Sequence, residues 1–257
     1  MLDQLPHPVI FAHRGACAFA PENTLSSFKM AADLGAPAVE LDVKLTADRQ
    51  VVVLHDPTLD RTTNGRGTLA SHTLAQVKRL DAGSWFSPAY QGEPVPTLEE
   101  VFAAVGNRVR VNVELTNYTS PLDDLAERVV AVVRGSGMED RVLFSSFNPL
   151  NLIRARRLAP RIPLGLLAEK GRGAALSRGW VGEMITHQAF HPNLEDVTPG
   201  LVASVHGRGR RVFVWTGNDP QDLRRLFSMG VDGVFTDNPE LGLQVAAEFS
   251  PPRRPAS

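Results

Sequence analysis

The chain has 257 residues, of which 43% are hydrophobic, enough to build one domain with a sizeable core. Its 27 Lys and Arg residues against 28 Asp and Glu residues give a formal net charge of -1, which excludes a broad basic surface for nucleic acid or anionic lipid. The single cysteine, Cys17, excludes an internal disulfide and is compatible with a reducing cytoplasm.

Polar residues follow or interrupt the first apolar runs of the chain. The runs 9–12 and 51–54 predict strands that end at His13 and His55. Between them lies a further predicted strand that carries Glu40. Charged side chains are therefore expected at or near three strand ends, where a barrel enzyme builds its active site.

The alternation of strands and helices continues to the end of the chain, and no repeat interrupts it. Helices are predicted over about 24–34, 73–80, 97–105, 122–135, 148–158, 196–208 and 219–228. Later strands are predicted over about 110–115, 141–146, 162–167, 211–216 and 232–236, with a weaker segment near 183–188.

Three acids are candidates for a metal site. Glu40 and Asp42 point to the same face of their strand, because alternate side chains point to opposite sides. Two carboxylates in one pocket repel each other, and burying them is costly unless a cation lies between them. The strand over 110–115 delivers Glu114 as a third ligand. Oxygen ligands favour Mg²⁺ or Ca²⁺; the alternative is a set of salt bridges with Arg or Lys.

Two histidines are candidates for acid and base catalysis. His13 and His55 each follow an apolar strand, and Asp56 comes directly after the second, where it could orient the ring. The alternative is a pair of structural imidazoles. Another pair, His187 and His191, has a spacing found in metal sites, but the loop-like residues around it predict a surface position.

Eight short motifs, taken in order, resemble the glycerophosphodiester phosphodiesterase family from His13 to Pro239. They are His13-Arg14-Gly15, Pro21-Glu22-Asn23-Thr24, Glu40-Leu41-Asp42-Val43, His55-Asp56, Leu59-Asp60-Arg61-Thr62-Thr63-Asn64-Gly65, Pro96-Thr97-Leu98-Glu99-Glu100, Val214-Trp215-Thr216 and Gly233-Val234-Phe235-Thr236-Asp237. The resemblance implies an α/β protein with a TIM (β/α)8 barrel as a single domain over 1–257. It places a small insertion at about 57–95, after the strand that ends at His55. It also implies an enzyme of glycerol and lipid metabolism that hydrolyses glycerophosphodiesters to sn-glycerol 3-phosphate and an alcohol.

A phosphodiester needs charge neutralisation, a base and an acid. A Mg²⁺ or Ca²⁺ ion on the three acids, together with the guanidinium of Arg14, would neutralise the phosphate. Arg14 could instead be a counterion of Glu22 or Asp42. The resemblance gives the acid and base roles to His13 and His55 without fixing which is which. The nucleophile is either a glycerol hydroxyl, which would give a cyclic phosphate, or water.

The substrate pocket shows one departure from the family. The resemblance makes Phe147 and Trp215 apolar walls of the pocket, although ordinary packing would also explain them. Family members commonly carry a lysine two residues after the third acid, where this chain has Thr116. The enzyme must then rely on its arginine and metal, recruit Lys44 or Lys170, or prefer a different substrate.

The number of strands does not fit a barrel directly. About nine candidates compete for eight places, and the segment 44–50 is too short for a parallel crossover. We expect a helix-free connection there, and we expect the weak strand near 185 to lie outside the barrel.

No window reaches the roughly 18 uninterrupted apolar residues of a membrane span. The amino terminus lacks the features of a signal peptide, so we expect a cytoplasmic protein without an integral membrane segment. Residues 250–257 are proline-rich and predict a flexible tail. The oligomeric state and the preferred alcohol are open at this point.

Three other functions are also open. A lysophospholipase D-like phosphodiesterase or a metal-dependent phosphomonoesterase would use the same residues on another small-molecule substrate. A noncatalytic phosphate-binding barrel is disfavoured, because the expected catalytic residues are all present.

Overall fold

Nine strands form one closed sheet in the computed structural model, which describes residues 1–171 and 186–249. The strands are β1 Val9–Ala12, β2 Ala38–Leu45, β3 Val51–Val53, β4 Arg110–Leu115, β5 Val142–Ser146, β6 Leu164–Ala168, β7 Ala189–Pro192, β8 Arg211–Val214 and β9 Gly233–Thr236. Eight of them run parallel in the order β1, β2, β4, β5, β6, β7, β8, β9, and β9 pairs with β1 to close the barrel. The predicted TIM barrel is confirmed.

The surplus strand is β3, which lies outside the barrel. It pairs antiparallel with the end of β2, so that Val43 lies opposite Val53. An antiparallel hairpin needs no crossover, which explains the short, helix-free connection after β2. The expectation that the segment near 185 is the surplus strand is wrong: β7 begins at Ala189 and pairs with β6 and β8 inside the barrel. A run of apolar residues predicts a strand but not its partner, and 183–185 fall outside the described residues.

Helices surround the barrel wherever the described chain connects two parallel strands. They are α1 Leu25–Asp33, α2 Leu74–Val77, α3 Leu98–Val105, α4 Leu125–Gly135, α5 Pro149–Leu158, α6 Pro199–His206, α7 Pro220–Ser228 and α8 Pro239–Ala247. Thr24 caps α1, and Thr97 with Glu100 forms a capping box at the start of α3.

The last helix, α8, was not predicted. Gly242 in its middle argues against a helix, because glycine is among the poorest helix formers. In the structure this glycine allows close packing, since a Cβ there would lie 2.9 Å from the methyl group of Thr236. Tertiary packing therefore overrides local propensity at this position.

Two apolar layers hold the barrel together. The larger layer lies between the strands and the helices and includes the fully buried Leu41 and Phe28. The smaller one lies inside the barrel at the amino-terminal ends of the strands. There the ring centroid of Phe11 lies 4.7 Å from that of Phe235 and 5.0 Å from that of Phe213. These three rings, here called the aromatic floor, close the barrel beneath the carboxyl-terminal rim.

The insertion after β3 packs around a small core of its own, which includes Leu59, Leu69 and Val95. Val52 of β3 belongs to the same cluster, so the core of the insertion is continuous with β3. The predicted tail over 250–257 lies outside the described residues. Within the described ranges, no helix is long and apolar enough to cross a bilayer.

Candidate active site

The three acids predicted to share a cation converge at the rim of the barrel. Glu40 and Asp42 project from β2, and the register between β2 and β4 sets Asp42 opposite Glu114. One carboxylate oxygen from each residue lies within 4.8 Å of the other two. The structure therefore brings all three acids together, although they come from two separate strands.

Burial makes the repulsion among these acids strong. Glu40 is 3% exposed and Asp42 is 1% exposed. Burial, Asp42 and Glu114 raise the pKa of Glu40 well above its ordinary value. Burial and Asp42 raise the pKa of Glu114 to about 8. Burial opposes ionisation of Asp42 too, but the guanidinium of Arg14 lowers the pKa of that carboxyl, so the cluster is short of positive charge.

The donor atoms fit a divalent cation. The Oε2 atom of Glu40 accepts a hydrogen bond from the amide of Arg14 at 3.0 Å, whereas its buried Oε1 atom has no partner among the described residues. The hydroxyl of Tyr118 donates to Oε1 of Glu114 at 2.6 Å and orients that carboxylate. Three carboxylates form the oxygen donor set that Mg²⁺ and Ca²⁺ prefer. Sequence reasoning missed Tyr118, which comes from a loop where no periodic pattern marks it.

Arg14 is a counterion and a cavity residue at the same time. One of its terminal nitrogens, Nη1, donates to Glu22 at 2.9 Å, and its Nε atom lies 3.3 Å from Asp42. Burial alone would lower the pKa of Arg14, but Asp42 and Glu22 raise it above its ordinary value. The side chain also lines the cavity described below. A charged guanidinium thus stands beside the acid cluster.

His13 is oriented by Asp237. Its Nδ1 atom lies 2.6 Å from Oδ1 of Asp237, and its Nε2 atom lies 4.0 Å from Oε2 of Glu40. Burial would raise the pKa of Asp237, but hydrogen bonds from His13 and others lower it to about 2. Asn218 and the thiol of Cys17 also donate to this carboxylate. An ionised acceptor at Nδ1 holds the proton there and turns Nε2 toward the acids.

His55 is held in the same way by a different carboxylate. Its Nδ1 atom lies 2.7 Å from Oδ1 of Asp56, the acid that follows it in sequence. Hydrogen bonds from Arg61 hold the pKa of Asp56 well below its ordinary value. Arg61 also donates to Glu22 at 2.8 Å, and Glu22 in turn contacts Arg14. A continuous chain of ion pairs therefore connects the insertion to the rim.

The two histidines and several of the charged residues around them face one cavity of about 430 Å³. His13 and His55 line it together with Arg14, Glu40 and Glu114. Phe147 and Trp215 form part of its wall, with their rings edge to face and their centroids 5.5 Å apart. A charged rim and an apolar wall suit a substrate with an anionic centre and an uncharged part.

The expectation that His187 and His191 lie on the surface is wrong. His187 is 5% exposed, and His191 is 0% exposed. His191 lies on β7 and lines the cavity, as does Asn112 on β4. The loop-like residues around this pair include Pro192, which is the last residue of a short strand, so the imidazole just before it points into the barrel.

The fold and the site together define an enzyme of the (β/α)8-barrel class whose active site lies at the carboxyl ends of the strands. The sequence pattern of the glycerophosphoryl diester phosphodiesterase family matches residues 13–241, and the chain belongs to this family. It is a phosphoric diester hydrolase that acts on glycerophosphodiesters. The family generally depends on a divalent metal, and the acids described above could bind one.

Relatives and solved structures resemble the chain over nearly its whole length. A glycerophosphodiester phosphodiesterase of Caldanaerobacter subterraneus subsp. tengcongensis is 38% identical, with 90% of this chain and 95% of the relative covered. An Oleispira antarctica phosphodiesterase was solved in complex with the product sn-glycerol-3-phosphate. It is 31% identical to this chain with a TM-score of 0.85, and the match covers 94% of this chain and 97% of that chain. A glycerophosphodiester phosphodiesterase of Agrobacterium tumefaciens is 32% identical with a TM-score of 0.79, and 93% and 99% are covered.

Thr116 occupies the position where the resemblance led us to expect a lysine. Thr116 is 2% exposed, and its hydroxyl accepts a hydrogen bond from Nζ of Lys44 at 2.9 Å. Burial lowers the pKa of Lys44, and this ammonium group is not among the cavity-lining groups. Lys170 does line the cavity, where it forms an ion pair with Glu195.

Proposed function

We propose that this enzyme needs a divalent cation, held by Glu40, Asp42 and Glu114, to hydrolyse glycerophosphodiesters. The observation that carries the proposal is the convergence of three carboxylate oxygens within 4.8 Å of one another. Support comes from the buried, unpartnered Oε1 atom of Glu40 and from the raised pKa of Glu114. Mg²⁺ and Ca²⁺ are the candidate ions.

The phosphate would lie between the acids, Arg14 and the two histidines. When bound, the ion would supply positive charge to a phosphate oxygen and to a glycerol hydroxyl. The guanidinium of Arg14 donates charge-assisted hydrogen bonds to the phosphate from its place in the cavity wall. Its two carboxylate partners hold it in one orientation, so little conformational freedom is lost when substrate binds.

His13 and His55 exchange the protons of the reaction. Each ring is held through Nδ1 by a carboxylate, at 2.6 Å for His13 and 2.7 Å for His55. This leaves Nε2 of each ring for the substrate, one to deprotonate the nucleophile and the other to protonate the departing alcohol. Asp237 and Asp56 are positioning residues that act through these rings.

The cavity also suggests how the two ends of the substrate are arranged. The products are sn-glycerol 3-phosphate, which the Oleispira antarctica phosphodiesterase binds, and an alcohol. Phe147 and Trp215 form an apolar wall for the uncharged part of the glycerol end. Glu169 and Lys170 are exposed residues at the mouth of the cavity, where an alcohol of variable structure meets solvent.

The proposal is tested by product analysis on a panel of diesters. The enzyme is treated with EDTA, Mg²⁺ or Ca²⁺ is added back, and the products of glycerophosphocholine, glycerophosphoethanolamine and lysophosphatidylcholine are identified by ³¹P NMR. We expect no turnover after chelation, restored turnover with the ion, and sn-glycerol 3-phosphate from the first two substrates. Full turnover after chelation would contradict metal dependence, and turnover of the lysolipid alone would contradict the substrate.

The histidine roles are tested by substitution. His13→Ala and His55→Ala should each lower kcat by about 10²-fold or more, because a positioned acid or base contributes about that much. His7→Ala is the matched control, since His7 is 55% exposed and is not among the cavity-lining residues. Wild-type activity in either site variant would remove that residue from the mechanism.

We also propose that the enzyme acts in the cytoplasm, in glycerol and lipid metabolism. The support is compositional: Cys17 is the single cysteine of the chain, so the fold uses no internal disulfide, as is usual for proteins of a reducing compartment. Cell fractionation with an antibody against the chain tests this location, and recovery outside the cytoplasmic fraction would contradict it.

A further inference from the structure

His191 is a buried imidazole that the proposed mechanism does not use. It projects from β7 into the barrel, is 0% exposed, and lines the active-site cavity. Both of its ring nitrogens lack a hydrogen-bond partner among residues 1–171 and 186–249. Buried polar atoms are nearly always paired, because an unpaired one destabilises the folded state. Two unpaired nitrogens on one ring at a cavity therefore point to a ligand.

The imidazole lies deep in the cavity, directly on the aromatic floor. Its ring centroid lies 5.2 Å from that of Phe235 and 5.5 Å from that of Phe213. Phe235 comes two residues before Asp237, the residue that orients His13. Two residues of an extended strand span about 7 Å, so the layer that contains Phe235 lies about 7 Å below the rim. Gly165 on the neighbouring β6 makes room, since a Cβ there would overlap the ring of His191.

A second polar group with an unpartnered atom lines the same cavity. Asn112 on β4 is 1% exposed, and its amide donates to the hydroxyl of Ser145 at 2.8 Å. Its Oδ1 atom is buried and has no partner in the described part of the chain. Leu167 and Phe235 line the same cavity and give it apolar surface as well.

The chemistry of these groups suits an uncharged hydroxyl. Burial lowers the pKa of His191 to about 3, so the ring is neutral at physiological pH and offers one donor and one acceptor. It gives a phosphate no positive charge, whereas Arg14 does. A hydroxyl both donates and accepts, and therefore matches a cavity lined by a neutral imidazole and an amide carbonyl oxygen.

We propose that His191, assisted by Asn112, binds the glycerol hydroxyl that is farthest from phosphorus and so determines specificity for glycerol. The inference rests on the proposed function, which places the phosphate at the rim. One end of the diester then points down to the floor, and the other points out to the exposed Glu169 and Lys170. The constant glycerol end occupies the floor, and the variable alcohol occupies the mouth.

The test uses two substrates that differ by one hydroxyl. Glycerophosphocholine carries the remote hydroxyl, and 2-hydroxypropyl phosphocholine lacks it but keeps the hydroxyl next to the ester carbon. The wild-type enzyme should prefer glycerophosphocholine by about 10 to 100-fold in kcat/KM, because the truncated substrate leaves a buried imidazole unpaired. His191→Phe should lower kcat/KM for glycerophosphocholine by a similar factor and leave the truncated substrate unchanged. His191→Gln, which keeps a donor and an acceptor, should retain most of the preference.

Each outcome of these measurements either supports or overturns the proposed role of His191. Equal wild-type activity on both substrates would overturn the inference without any variant. Equal losses on both substrates in His191→Phe, with a normal circular dichroism spectrum, would show a purely structural role and overturn it. If His191→Phe fails to fold, loss of the preference in His191→Gln overturns it, and retention supports it. Failure of the wild-type enzyme on both substrates would instead overturn the proposed function.

Discussion

Replacing Glu114 with Gln should stabilise the protein at alkaline pH in the absence of metal while removing the metal site. Burial and Asp42 raise the pKa of Glu114 from 4.5 to about 8. A carboxyl group whose pKa is raised on folding binds more protons in the folded state than in the unfolded state. The free energy of unfolding therefore falls as pH rises between these two values. Gln is neutral at every pH and escapes this loss.

The magnitude follows from the size of the shift. One pKa unit corresponds to about 1.4 kcal/mol, so a shift from 4.5 to about 8 corresponds to at most on the order of 5 kcal/mol. Part of the Glu114 side chain is open to the cavity, where water screens its charge. We therefore expect about half of that effect, on the order of 2 kcal/mol at about pH 8.

Urea unfolding at about pH 5.5 and about pH 8, in EDTA, measures this effect. The wild-type protein should lose stability between the two conditions, and Glu114→Gln should not. Addition of Mg²⁺ or Ca²⁺ at the higher pH should stabilise the wild type alone, since only it binds the ion. Glu99→Gln is the control, because Glu99 is an exposed acid on α3. A variant less stable than the wild type at about pH 8 would refute the reasoning.

Two further predictions concern groups around the site. Asp237→Asn removes the charged acceptor at Nδ1 of His13, so kcat should fall by about 10 to 100-fold with KM nearly unchanged. Steady-state kinetics measures both constants. An increase in KM alone would show that Asp237 acts on binding instead. Thr116→Lys would bring a second ammonium group to the buried position that Nζ of Lys44 already contacts, and should destabilise the protein by about 1–3 kcal/mol. Thermal unfolding measures this change in stability. A gain in stability would mean that the introduced ammonium group does not lie near that of Lys44.

Much of the barrel could be predicted because its strands are short apolar runs with polar residues at their ends. The strand over 110–115 is observed with the predicted bounds, and the β2 residues Glu40 and Asp42 share a face because strand geometry requires it. Glu114 was predicted as the third ligand because it lies near the end of the strand over 110–115, but the register between β2 and β4 that sets it opposite Asp42 is a tertiary property.

The failures have physical causes of the same kind. The run 51–53 reads as a barrel strand, and only its antiparallel pairing with β2 removes it from the barrel. His191 was assigned to the surface because a strand of four residues is too short to show alternation next to a proline. The role of Asp237 could not be assigned, since it lies 224 residues from His13 in sequence. Local patterns predict elements, whereas these contacts arise from closure of the barrel.

The most direct test of the account is a titration that counts ions and measures turnover on the same samples. The chelated enzyme is titrated with Mg²⁺ or Ca²⁺ by calorimetry, and glycerophosphocholine hydrolysis is measured at each point. We predict one ion per chain, turnover that rises in proportion to occupancy, and neither binding nor turnover in Glu40→Gln. Full hydrolysis by ion-free wild-type enzyme, or unchanged ion binding in Glu40→Gln, would contradict the claim that these three carboxylates form the catalytic metal site.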